Sequence, residues 1–121
     1  MTAARIPGLH VDVDYDDGRA VLAVDGELDV YTCDQLRAEL LALAAAGHHR
    51  IALDLSDLDF CDSSGLGVLV GAVKRARDHG GGLTVYGADE RFLRVLRITG
   101  LVQVMPPFEQ RAEALGWLDA Q

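Results

Sequence analysis

Between Ile51 and His79 the apolar periodicity of the chain changes from that of a strand to that of a helix. Ile51-Ala52-Leu53-Asp54-Leu55 is a short, nearly continuous apolar run, the pattern of a buried strand. From Leu66 to about His79, Leu66, Leu69, Val70 and Val73 recur at helical spacing. A further strand pattern follows at Leu83-Thr84-Val85-Tyr86. A strand, a long helix and another strand form a crossover, and a crossover places its two strands parallel in one sheet.

The flanking segments fit that sheet. Leu9, Val11, Val13 and Tyr15 alternate with His10, Asp12 and Asp14, as in a half-buried strand. Asp16-Asp17-Gly18-Arg19 reads as a turn and Ala20 to Val24 as a second strand, so the two form a hairpin that ends at Asp25-Gly26-Glu27-Leu28-Asp29. Tyr31 or Thr32 opens a helix with Asp34 in its first turn, Leu36, Leu40 and Leu43 inward, and Gly47 past its end. Glu90 to Thr99 is a short helix with Phe92, Leu93 and Leu96 inward, stopped by Gly100. Leu101 to Met105 reads as a last strand and Pro106-Pro107 as a break. Glu109 to about Leu118 is a final helix that turns Ala112, Leu115 and either Trp117 or Leu118 inward. The order predicts an α/β fold: a mixed four- to five-stranded sheet, an N-terminal hairpin followed by mainly parallel strands, packed with about four helices. The 121 residues suit one domain over 9–118, with a flexible N-terminus over 1–8 and a short tail over 119–121.

Function classes narrow on charge. A formal net charge of −8 argues against a surface for nucleic acid or an anionic membrane, both of which need basic patches. No apolar run approaches the roughly 20 residues of a membrane helix, and the first eight residues lack a signal peptide's apolar segment. Cys33 and Cys61 are too few for a disulfide framework and read as small buried residues, in keeping with a reducing cytoplasm. His48-His49 is expected to be a solvated loop. Asp12, Asp14, Asp16 and Asp17 are expected to be a solvated edge rather than a calcium loop. Neither metal nor cofactor is expected.

The chemistry gathers at Asp62-Ser63-Ser64-Gly65, where strand gives way to helix. A first helical turn has free N–H groups and the positive end of the dipole, so serines there can cap, and a phosphate is tolerated. Angular bookkeeping on the following helix puts Leu66, Leu69, Val70, Val73 and the stem of Arg77 inward. It puts Ser64, Val68, Gly71 and Arg75 outward, with Gly67 and Asp78 beside them. Gly67 and Gly71 each weaken a helix by about 1 kcal/mol against alanine, which close approach of another backbone would offset. An esterase reading fails, because neither serine sits in Gly-x-Ser-x-Gly. Gly65-x-Gly67-x-x-x-Gly71 has the wrong spacing for a dinucleotide fingerprint. With no paired acid and base, the residues read as a binding module rather than an enzyme.

Gly26-Glu27-Leu28-Asp29, Asp54-Leu55-Ser56-Asp57-Leu58 and Phe60 to Leu69 resemble the STAS domain of bacterial anti-sigma factor antagonists. Gly81 to Val85 and Leu96 to Leu101 are similar to that family's later segments, so the resemblance spans roughly Leu9 to Leu118. Cys61 departs from the methionine often found there. The resemblance implies the STAS fold and a partner-switching role. The antagonist binds an anti-sigma factor that is also a serine kinase of the histidine-kinase-like ATPase fold, which frees the sigma factor. Phosphorylation of the first serine of Asp-Ser-Ser-Gly, here Ser63, releases the kinase, and a serine phosphatase resets the switch. It also implies that Asp29, Asp62, Ser64, Gly65, Gly67, Val68, Gly71 and Arg75 form the partner surface. The alternative within the family is a non-phosphorylated interaction module of a transporter or scaffold complex. The lack of a preceding transmembrane part argues against a transporter tail.

Overall fold

The computed structural model describes residues 8–121. Residues 1–7 of the segment expected to be flexible lie outside the described residues. The elements run β1 (Leu9–Asp16), β2 (Arg19–Leu28), α1 (Cys33–Ala45), β3 (Arg50–Asp54), β4 (Leu58–Cys61), α2 (Ser63–Asp78), β5 (Gly82–Tyr86), α3 (Glu90–Thr99), a 3-10 turn (Leu101–Gln103), β6 (Pro107–Phe108) and α4 (Arg111–Asp119).

The expected mixed sheet is present. β1 and β2 form the antiparallel hairpin, and the order continues β3, β5, β6 with every further pairing parallel. β2 is long enough to serve two neighbours. Its first half pairs with β3 and its second half with β4, across a register shift between Gly26 and Glu27. Gly26 takes φ +106°, and a Cβ there would sit 2.2 Å from the Gly8 carbonyl oxygen, so this kink requires glycine. The chain passes from β3 to β4 through a turn closed by Asp54, whose Oδ1 accepts from Ser56 N–H at 3.0 Å and from its hydroxyl at 2.7 Å.

Both faces of the sheet are covered, unequally. Leu22, Val24, Leu53, Leu83 and Val85 face the main core, which α1, α2 and α3 close with Leu36, Leu40, Leu69, Val73 and Leu96. Val21, Ala52 and Tyr86 face the other way onto α4, through Ala114, Leu115 and Leu118. Coverage on both faces explains why β3 reads as a nearly unbroken apolar run. No described helix is long and apolar enough to cross a membrane.

Three expectations need correction here. Leu101 to Met105 is not a strand. Gly100 adopts φ +77° and ends α3, a 3-10 turn follows, and Met105 drops fully into the core; the sixth strand is the dipeptide Pro107–Phe108 at the sheet edge, where a proline costs no ladder bond. On α4, which begins at Arg111 rather than Glu109, the inward alanine is Ala114, on one face with Leu115 and Leu118, while Ala112 lies off that face and is exposed. The acidic hairpin is not merely solvated. Arg111 bridges Asp14 at 2.9 Å and Asp16 at 3.2 Å, and Arg19 reaches Asp119 at 2.9 Å. These pairs pin α4 to the hairpin.

Candidate functional site

β2 and β4 run parallel with Leu28 opposite Cys61. The residues that leave these strands, Asp29 and Asp62, therefore emerge side by side at one end of the sheet, where parallel α/β sheets gather functional groups. Both aspartates order the backbone that follows.

Asp62 is extended, at φ −97° and ψ −174°, and its Oδ1 accepts from Ser64 N–H at 2.8 Å and from Gly65 N–H at 3.1 Å. It is the N-cap of α2. Its own N–H donates to the Leu28 carbonyl at 3.1 Å. Of the cap or first-turn position expected for Ser64, the structure gives it the first turn; the cap is supplied two residues earlier, and helix α2 begins at Ser63 instead of Leu66. Ser64 is half-buried in the first turn. Ser63 is exposed, and its hydroxyl makes no hydrogen bond among the described residues.

Asp29 closes the turn into α1. Its Oδ1 accepts from Tyr31 N–H at 2.9 Å and Thr32 N–H at 3.1 Å, and the Thr32 hydroxyl donates to the Glu27 carbonyl at 2.7 Å. This fixed turn holds Val30 at 60% and Tyr31 at 91% exposure. Sequence reasoning missed both, and also Phe60 on β4 at 48%. A single exposed aromatic residue interrupts no periodicity, so the only available signal was an aromatic residue directly before a helix start.

The outer face of α2 differs from the expected one. Gly65, Val68, Leu69, Ala72, Val73 and Ala76 are buried, whereas Gly67, Val70, Lys74 and Arg77 are exposed. The helix is rotated by roughly 80° from the position the large apolar residues suggested. The small residues Gly65, Ala72 and Ala76 pack inward, and Val70 is left at 42% exposure. Val68 is a core residue at 3%, not a surface one. Gly65 is buried for a steric reason: a Cβ there would lie 2.5 Å from Leu28 Cγ and 3.1 Å from Cys61 Sγ. Arg75 is half-buried toward the C-terminal end of the helix, lining a small cleft with His48 and His49. A Cβ on Gly67 would meet nothing within 4 Å, and one on Gly71 would meet only the Arg75 Nη1 at 3.8 Å. No contact among the described residues accounts for either glycine.

Beside Ser63 a groove of about 260 Å³ opens between β4, the start of α2 and α3. Leu55, Leu58, Leu66, Phe92 and Val95 supply apolar walls, and Asp59, Asp62, Asp89 and Arg91 are its charged groups. Burial, and then the charge of Asp62, pushes the Cys61 thiol up to about 12, so it stays protonated and is a poor nucleophile. His79 caps the far end of α2 and donates from Nδ1 to the Arg75 carbonyl at 2.8 Å. It lies some 24 Å from Ser63, at about 1.5 Å of rise per residue, so the two do not form a nucleophile and base pair.

The chain is similar to known proteins in sequence and in fold. A family model described as "Mlab, STAS domain" matches residues 11–107. The anti-sigma-B factor antagonist of Bacillus subtilis (strain 168) is 36% identical over 97 residues, covering 80% of this chain and 88% of that protein. The crystal structure of an anti-sigma factor antagonist from Mycobacterium paratuberculosis superposes with a TM-score of 0.84 at 26% identity, covering 93% of this chain and 95% of the other. The Bacillus cell fate determinant SpoIIAA in its phosphorylated form shares the fold, with a TM-score of 0.72 at 23% identity over 88% of this chain and 97% of the other.

Proposed function

Because the chain belongs to the STAS-domain family, we propose that it acts in the cytoplasm as an anti-sigma factor antagonist whose Ser63 is the switch. Unphosphorylated, it binds an anti-sigma factor that is also a serine kinase of the histidine-kinase-like ATPase fold, and so frees a sigma factor. Phosphorylated, it lets go, and a serine phosphatase restores it. The observation that carries this reading is the Ser63 side chain, exposed, without a hydrogen-bond partner among the described residues and seated beside the Asp62 cap.

The docking face we assign is the stripe of α2 that runs from exposed Ser63 through Gly67 to Val70, with half-buried Gly71 at its edge, together with Val30 and Tyr31. Asp29, Asp62 and Ser64 act by shaping the two turns, and Gly65, Val68 and Arg75 by packing beneath or beyond the stripe. The transfer itself asks little of this chain. The Ser63 oxygen attacks the γ-phosphorus of kinase-bound ATP, ADP leaves, and the hydroxyl proton passes to a base on the kinase. The first turn of α2 tolerates the added phosphate, so the domain stays folded. The interface then carries roughly −1.5 to −2 more charge next to Asp62 and near Asp29. A loss of about 3–4 kcal/mol there weakens binding several-hundredfold.

Incubation with the cognate anti-sigma kinase, ATP and Mg²⁺ should add one phosphate to the intact mass, and Ser63→Ala should abolish the gain. Ser63→Ala should still bind the kinase, and Ser63→Glu should bind it less well. A mass gain that persists in Ser63→Ala, or no gain in the wild type, overturns the assignment.

A further inference from the structure

We infer that Arg91 holds the phosphate once Ser63 carries it, tying the start of α2 to α3 across the groove. This rests on the proposed phosphorylation of Ser63 and adds a receiver for the phosphate within the chain.

Four charged residues line the groove that Ser63 borders: Asp59, Asp62, Asp89 and Arg91. Two of the carboxylates are fixed there. Asp62 caps α2 through Ser64 and Gly65 N–H, and Asp89 caps α3 by accepting from Phe92 N–H at 2.9 Å. Neither can turn away without uncapping its helix. A dianion on Ser63 therefore enters a cleft with three carboxylates and a single guanidinium. Arg91 is exposed and makes no ion pair or hydrogen bond among the described residues. Elsewhere on the same helix Arg97 is engaged by Glu90 at 2.6 Å. The planar guanidinium offers paired donors that match phosphate oxygens. The apolar walls at Leu66 and Phe92 strengthen that pairing relative to open water. Holding the phosphate at Arg91 closes the groove mouth and draws the charge toward α3. The two forms then differ in access to the groove as well as in charge.

The test installs phosphoserine at position 63 during translation, by suppression of an amber codon, so that no kinase is involved. The phosphorus NMR resonance is followed through a pH titration at low salt in four proteins: unsubstituted at Arg91, Arg91→Ala, Arg91→Lys and Arg94→Ala. Arg94 is a neighbouring exposed cation outside the groove lining, so it controls for net charge. The phosphate should ionise at a pH lower by about half a unit or more with Arg91 present than in Arg91→Ala. Arg91→Lys should fall between, and Arg94→Ala should match the unsubstituted protein. Identical titrations for Arg91→Ala and the unsubstituted protein, or an equal shift from Arg94→Ala, overturn the inference. The kinase experiment decides separately whether Ser63 is modified at all, so the two failures are distinguishable.

Discussion

The Leu28 side chain occupies the space into which Gly65 would project a Cβ, at 2.5 Å from its Cγ. Two segments far apart in sequence meet here, and the contact seats the first turn of α2 on the ends of β2 and β4. Gly65→Ala sets two effects against each other. Alanine gains about 1 kcal/mol of helix propensity over glycine, while overpacking a filled site costs about 1–3 kcal/mol. Leu28 is fully buried and Cys61 Sγ closes the other side at 3.1 Å, so neither neighbour yields freely. That puts the cost in the upper part of its range, and a net loss of about 1–2 kcal/mol is expected, read from the midpoint of urea unfolding. A variant as stable as the parent would mean that Leu28 repacks without cost.

Gly67 should respond with the opposite sign. A Cβ there meets nothing within 4 Å, so Gly67→Ala gains about 1 kcal/mol of stability from propensity alone. If the open stripe of α2 is where a partner helix approaches, the same methyl group weakens kinase binding. Unfolding and binding measured on one preparation should thus move in opposite directions. A gain in stability with unchanged affinity would remove Gly67 from the interface.

Tyr31 projects from a turn that Asp29 and Thr32 hold rigid, and it is 91% exposed. A large aromatic side chain presented at little further entropic cost is the usual form of an interface anchor. Tyr31→Ala should leave unfolding unchanged within about 0.5 kcal/mol. It should weaken kinase binding by roughly tenfold or more, as truncation of an anchor does. Calorimetric titration with the unphosphorylated protein reads the second effect. Unaltered affinity would place the partner elsewhere on this end of the sheet.

These residues also show what periodicity can and cannot reveal. The hairpin, α1 and α3 follow from their patterns because each turns one large-residue face inward. Strand β4 escaped notice because its four residues follow neither period: Asp59 and Phe60 are both exposed, and Leu58 and Cys61 half-buried. Its existence depends on β2 running past β3, a tertiary fact. The large apolar residues of α2 point to a face that the helix does not bury, because close packing on the sheet and α1 selects Gly65, Ala72 and Ala76. Two serines at the junction leave cap and first turn undivided between them, and the carboxylate of Asp62 takes the N–H groups of Ser64 and Gly65. The Asp-Ser-Ser-Gly site was legible as a place. Which of its residues face the solvent was not.

At the opposite end of α2, His49 and His79 stack with ring centroids 4.3 Å apart and planes 11° from parallel. The carbonyl of His49 accepts from Gly82 N–H at 2.9 Å, so the pair sits where β3, β5 and the end of α2 meet. Desolvation lowers the His49 pKa from its ordinary value, and the charges of His79 and His48 lower it further. The unfolded chain therefore takes up a proton at a higher pH than the folded chain does. Stability from this corner is complete above the ordinary histidine range and declines as pH falls through it, until the folded form is protonated too. His49→Gln removes the titrating group. Between about pH 7.5 and about pH 5.5 the variant should lose less stability than the unsubstituted protein, by urea unfolding in matched buffers. His79→Gln should act in the same direction but less strongly, since desolvation is the larger cause and remains. The difference between proteins is the informative quantity. Parallel stability profiles would show that the stacked pair carries no pH-dependent stability.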